Sequence, residues 1–132
     1  MAEPSGSPTG PLILVADDDE AVRDLVCDML SDAGFRTLTA SDGEEVTAQA
    51  VQHHPALIIL DVMMPNMDGY TTLTRLRGRA ETKAIPVIVL TGQAEPVYRT
   101  LSAGVGAAAH LTKPFSARQL TEAVRRALGA PA

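Results

Sequence analysis

Tryptophan is absent from this sequence, cysteine nearly so, and aromatic residues reach only 3%. The single cysteine, Cys27, cannot close an internal disulfide, which excludes a secreted disulfide scaffold. Basic charge is in deficit: 11 Lys and Arg stand against 16 Asp and Glu, for a formal net charge of −5. A basic footprint for nucleic acid is missing, so no direct nucleic-acid contact is expected of this chain. Long hydrophobic runs are missing too. Leu57–Leu60 and Val87–Leu90 fall far short of the roughly 18 apolar residues that span a bilayer, and no membrane insertion is expected. No Lys or Arg precedes Arg23, so a secretory n-region is lacking and the cytoplasm is the simplest compartment. No heptad repeat runs the length of the chain, which sets aside a coiled coil.

What remains is a chain of 132 residues, 45% apolar and 20% charged, the balance of one globular domain with a real core. Residues 1–10 are small, polar or Pro and read as a disordered tail; residues 11–132 read as the domain. Strand and helix patterns then alternate. Leu12–Ala16 is a short apolar run of the buried-strand kind. Val22, Leu25, Val26, Met29 and Leu30 mark one helical face, ended by Gly34. Thr37–Ala40 reads as a weak strand toward an edge. Ser41 and Glu44 have capping-box spacing and open a helix up to about Gln52. Leu57–Leu60 is a strand buried on both faces, and a helix from about Tyr70 to Gly78 follows. Val87–Leu90 is a fourth strand, about 95–103 a fourth helix, and Ala108–Thr112 a fifth strand. Ser116 and Gln119 form a second capping box, opening a last helix that turns Leu120, Val124, Ala127 and Leu128 inward. Five strand–helix units imply an α/β fold, a doubly wound parallel sheet with helices on both faces. Such sheets hold ligands outside the carboxyl ends of their strands.

Polar residues gather at those ends. The first strand runs into Asp17-Asp18-Asp19, the third into Asp61, the fourth into Thr91 and the fifth into Lys113. Two carboxylates about 4 Å apart repel by roughly 4 kcal/mol at an effective dielectric near 20, so such a set needs a cation or a raised pKa. Mg²⁺ suits it, being hard, oxygen-liking and ready to share its shell with a phosphate. A carboxylate flanked by metal, Lys and hydroxyl is equipment for phosphoryl transfer, and the carboxylate can itself be the nucleophile. Plainer readings stand beside this one. Asp18 or Asp19 can cap the first helix, Asp61 and Thr91 can be turn residues, and Lys113 can be a solvated lysine. The convergence of all of them on one rim argues against the plain readings taken together. His53-His54, before Pro55, read as a solvated turn, and Cys27 as a small filler residue.

These residues carry a resemblance. Residues 13–20 (ILVADDDE), 57–69 (LIILDVMMPNMDG), 87–91 (VIVLT) and 111–115 (LTKPF) resemble the receiver domain of two-component response regulators, the CheY-like family. The resemblance implies the flavodoxin/CheY-like strand order 2-1-3-4-5. It implies that Asp61 is the phosphoacceptor, loaded from the phospho-histidine of a histidine kinase or histidine phosphotransfer protein. Asp17, Asp18, Asp61 and the backbone carbonyl of Met63 would hold Mg²⁺ (or Mn²⁺). Thr91 and Lys113 would bind the phosphoryl group, Met63 and Gln93 would tune its lifetime, and a cis bond would precede Pro114. Phosphorylation would switch the face built from the fourth helix, the fifth strand and the last helix, and so control a downstream protein target.

The chain also departs from the family. His110 stands where many relatives carry Tyr or Phe, which suggests a weaker or pH-sensitive coupling to Thr91; a passive role for His110 is the alternative. Residues 106–109 (GAAA) lack the acidic pair common there in winged-helix regulators. The expected function is a single-domain regulator, a phosphoacceptor signalling domain rather than an enzyme. A receiver excised from a longer regulator or hybrid kinase is the alternative. A haloacid-dehalogenase-type phosphatase fits poorly, because Asp17-Asp18-Asp19 is followed by Glu20-Ala21 and there is no room for a cap domain. A nucleotide-binding module fits no better, because neither G-x-G-x-x-G nor a P-loop follows the first strand.

Overall fold

Continuous aliphatic runs become the middle of a parallel sheet because both faces of a parallel strand are covered. A computed structural model describes residues 10–61, 69–91 and 108–129. The strands are β1 (Leu12–Ala16), β2 (Arg36–Ala40), β3 (Leu57–Asp61), β4 (Val87–Thr91) and β5 (Ala109–Thr112). They pair in the order β2-β1-β3-β4-β5, and every pairing is parallel. The described helices are α1 (Glu20–Asp32), α2 (Gly43–His53), α3 (Gly69–Arg77) and α4 (Ala117–Ala127). The doubly wound fold and the strand order are as expected. The helix expected near 95–103 lies outside the described residues. No helix among those described is long and apolar enough to cross a membrane.

Strand alternation divides the core into two layers. Leu14, Ala16, Ile58, Leu60, Val87 and Val89 pack with Val46 and Ala50 of α2 and with Leu73 and Leu76 of α3. Ile13, Val15, Leu57, Ile59, Ile88 and Leu90 pack with Val26 and Leu30 of α1 and with Leu120 and Val124 of α4. Each fully buried Leu, Ile or Val contributes on the order of 1.5–3 kcal/mol. The edge strand β2 exposes Arg36 and Thr39, as its weaker pattern predicts. Ala127 and Leu128 pack against the second layer, and Cys27 joins it as the expected filler. Burial raises the Cys27 thiol pKa, so the thiol form persists there.

Helix ends follow side-chain chemistry, with one correction. Asp19 caps α1, its Oδ1 accepting from the N–H groups of Ala21 (2.9 Å) and Val22 (3.4 Å). Ser116 and Gln119 form the expected capping box of α4. At α2 the cap is Asp42, not Ser41: extended Asp42 accepts from the Glu45 N–H at 2.8 Å. The reciprocal carboxylate belongs to Glu45, which accepts from the Ser41 N–H at 2.7 Å and leaves Glu44 exposed. The Ser-x-x-Glu spacing is met at 41/44, but Asp42 accepts at its own N3 position and so starts the helix one residue later. Gly34 ends α1 at a φ of 96°, where a Cβ is disfavoured. His53 and His54 are exposed, and His54 closes α2 in the left-handed region, in keeping with a solvated turn.

The loop that delivers β4 to the sheet is pinned to α3. Arg77 donates from its two terminal nitrogens to the carbonyls of Lys83 and Ile85. Buried Thr82 donates from its hydroxyl to the Leu76 carbonyl at 2.7 Å. Thr82→Val keeps the volume and removes that donor; urea unfolding is expected to show a loss of about 1–2 kcal/mol with an unchanged m-value.

Candidate functional site at the carboxyl rim of the sheet

Register decides which side chains meet. Ala16 pairs with Leu60, so Asp17 stands level with Asp61, the last residue of β3. Asp61 pairs with Leu90, which places Thr91 one step farther out on β4. Thr91 pairs with Thr112, and Lys113 follows. The Lys113 N–H continues the ladder, donating to the Thr91 carbonyl at 2.7 Å, and its long side chain reaches back across the rim. The Lys113 Nζ lies 2.8 Å from Asp61 Oδ2 and 3.4 Å from Asp17 Oδ2. The Lys113–Pro114 bond is cis, as the resemblance implies.

Asp17 and Asp61 are 1% and 3% exposed, whereas Asp18 is open to solvent. Carboxylate oxygens of all three lie within 4.8 Å of one another. Three carboxylates and one ammonium leave a formal surplus of two negative charges, and an oxygen-only donor set of this kind fits a hard divalent cation. Asp17 carries the strain of this crowding. Burial, together with the charge of Asp61, raises its pKa from 3.8 to about 6, against the opposing pull of the Asp19 N–H and of Lys113. Burial alone would lower the Lys113 pKa, but the hydrogen bond and charge of Asp61, with help from Asp17, leave it raised.

The structure thus brings Asp17, Asp18, Asp61 and Lys113 together. Thr91 is fully buried at the same rim. His110 sits on β5 opposite Val89, half-buried. Met63 and Gln93 lie outside the described residues. Sequence reasoning missed Arg23, whose Nη1 donates to the Asp17 carbonyl at 2.8 Å. The available signal was its place one turn into the helix that Asp19 caps, from which a long side chain reaches back over the acidic turn. A separate cavity of about 730 Å³ lies between α2 and α3, lined by Thr47, Val51 and Arg75 among others, away from the acidic rim.

A parallel sheet in this order, with acids and a lysine converging on its carboxyl rim, defines a doubly wound α/β domain with a buried carboxylate inside an acidic cluster. The description "response regulator receiver domain" matches residues 13–125, and the chain belongs to that family. It is 42% identical over 118 residues to the DNA-binding dual master transcriptional regulator RpaA of Synechocystis, covering 89% of this chain and 49% of that protein. The chain spans about half the length of the curated relatives it matches. Among solved structures, the chemotaxis protein CheY4 of Vibrio cholerae superposes with a TM-score of 0.85 at 33% identity, over 89% of this chain and 98% of that one. The receiver domain of the sensor histidine kinase PA1611 of Pseudomonas aeruginosa, with magnesium coordinated in its active-site cleft, gives a TM-score of 0.85 at 26% identity, over 92% and 100%.

The raised pKa of Asp17 has a thermodynamic consequence. The folded chain keeps its proton up to about pH 6, whereas the unfolded chain releases it near 3.8, so this residue's contribution to stability is lost as pH rises between those values. The span corresponds to roughly 3 kcal/mol. In chelator-treated protein, Asp17→Asn is expected to gain stability over the wild type as pH rises from 4 to 7, by up to about 3 kcal/mol in urea unfolding.

Proposed function

We propose that this receiver domain takes a phosphoryl group from the phospho-histidine of a histidine kinase or histidine phosphotransfer protein onto Asp61. The observation that supports this reading is the buried Asp61 carboxylate, held 2.8 Å from the Lys113 ammonium and crowded by two further acids. An Asp61 oxygen attacks phosphorus, an O–P bond forms, the N–P bond breaks, and the imidazole nitrogen leaves with the electron pair and takes up a proton. Lys113 already pairs with Asp61 and follows the new charge, donating to phosphoryl oxygens. Thr91 supplies a hydroxyl donor from the neighbouring strand. Asp17, Asp18, Asp61 and the Met63 backbone carbonyl would hold Mg²⁺ or Mn²⁺, which neutralises charge on the transferred group when bound.

The phosphoryl group brings about −1.5 to −2 charges to a rim that already carries an acidic surplus. Its readout is a shifted equilibrium in the face that includes β5 and α4, with His110 as the variant at the switch position and Met63 and Gln93 as the residues that tune lifetime. The output is a downstream protein target of a cytoplasmic single-domain regulator, without turnover of an external substrate. A second reading, a receiver within a longer regulator, is favoured by the half-length coverage of relatives such as RpaA, whose name includes DNA binding. On that reading any DNA contact would belong to the other half, since the net charge of this chain is −5.

Intact mass after incubation with Mg²⁺ and a small phosphodonor is expected to rise by one phosphoryl group in the wild type and not in Asp61→Asn. An equal gain in both would place the acceptor elsewhere. Mg²⁺ at about a hundredfold excess over its Kd should add about 2.7 kcal/mol of stability. A thermal melt should therefore rise by several degrees, fall back on chelation, and lose the response in Asp17→Asn.

A further inference from the structure

Arg23 lies one turn into α1, a half-buried position in an otherwise acidic stretch of helix. Its Nη1 donates to the Asp17 carbonyl at 2.8 Å. That carbonyl belongs to the residue at which β1 leaves the sheet. The Asp17 N–H still donates to Ala40 at 3.2 Å, but β1 ends at Ala16. The same turn is tied at three more points. Asp17 Oδ1 accepts from the Asp19 N–H at 2.9 Å, Asp19 caps α1, and the Arg23 N–H donates to the Asp19 carbonyl at 2.9 Å. The carbonyl edge of the Asp17–Asp18 peptide is therefore held by a guanidinium. The orientation of that peptide sets the direction in which the exposed Asp18 carboxylate leaves the chain.

We propose that Arg23 is a positioning residue for the divalent-cation site, fixing the Asp17–Asp18 peptide so that the Asp18 carboxylate stands within reach of Asp17 and Asp61. This rests on the reading above, in which those three acids hold Mg²⁺. The geometry separates positioning from two other roles. A guanidinium bonded to the main chain of the acidic turn also repels a cation. If Arg23 acted only as a charge, removing it would tighten Mg²⁺ binding. If it served stability alone, removal would lower the melting temperature and leave the affinity unchanged. A positioning role makes affinity fall despite the loss of a repelling charge. Outer partners that orient metal ligands typically carry about 10–100-fold in affinity.

The test is the Mg²⁺ Kd by titration calorimetry on the full chain, for wild type, Arg23→Gln and Arg23→Lys, with far-UV circular dichroism as the check of folding. Arg23→Gln is expected to weaken binding about tenfold or more. Arg23→Lys keeps the charge but offers a flexible point donor in place of the planar fork, and is expected to fall between. An unchanged or tighter Kd in folded Arg23→Gln overturns the inference. Should Arg23→Gln fail to fold, Arg23→Lys decides: weaker binding supports the inference, and binding equal to wild type overturns it. A wild type that binds no Mg²⁺ sinks the metal reading and this inference together, whereas a binding wild type with indifferent variants sinks this inference alone.

Discussion

Two buried carboxylates on neighbouring strands share one ammonium, and the rest of the rim is arranged around that imbalance. Asp17 and Asp61 are both desolvated, and Lys113 contacts both, the closer contact being 2.8 Å. A lone ammonium cannot neutralise two carboxylates, and Asp18 adds a third. The packing of the strands beneath holds these like charges close together. At about 4 Å two like charges cost roughly 4 kcal/mol at an effective dielectric near 20, which is a large share of the usual net stability of a domain. A fold tolerates such a cost where an added charge relieves it, as a divalent cation would here.

Topology is what brings the charges together. β1 has β2 on one side and β3 on the other, so chain order reverses at β1, and a crevice opens outside the strand ends at that point. Asp61 closes β3 and Asp17 follows the last residue of β1 at the matching level, on the two strands that border this crevice. All pairings being parallel, every strand end that bears a polar residue falls on the same rim. The apolar layers below need nothing from those residues. Leu60 and Ala16 are completely buried one position before the acids, so the change from oil to charge occurs over a single residue on each strand.

The legible parts of the sequence are those in which one physical demand dominates. A strand covered on both faces must be aliphatic throughout, and Leu57–Leu60 and Val87–Leu90 say so directly. The convergence of Asp17, Asp61 and Lys113 is legible once the sheet is taken as parallel, because parallel strands carry all their carboxyl ends to one side. Competing local donors are harder to read. Ser41, Asp42, Glu44 and Glu45 offer more than one capping frame, and only the backbone geometry at Asp42 selects between them. Arg23 escapes for a different reason. Helical periodicity treats an arginine near an exposed face as solvated, and its place one turn past the Asp19 cap, the one signal in the spacing, does not single out a main-chain carbonyl six residues back as its acceptor.

Strand alternation adds a division within the rim itself. Asp17 continues the phase of Ile13 and Val15, Asp61 that of Leu57 and Ile59, and Lys113 that of Ala109 and Leu111, which all pack in the α1/α4 layer. Thr91 instead continues the phase of Val87 and Val89, which pack in the α2/α3 layer. His110, between Ala109 and Leu111, shares the phase of Thr91. The charged cluster and the Thr91–His110 pair of positions therefore belong to opposite faces of the sheet and meet only where the sheet ends. A main-chain bond joins them: the Lys113 N–H donates to the Thr91 carbonyl at 2.7 Å. Under the proposed reading, the ammonium that follows a phosphoryl group and the carbonyl of the hydroxyl-bearing residue that reports it are linked through one peptide group. That peptide group gives the two faces a direct covalent and hydrogen-bonded link at the strand ends.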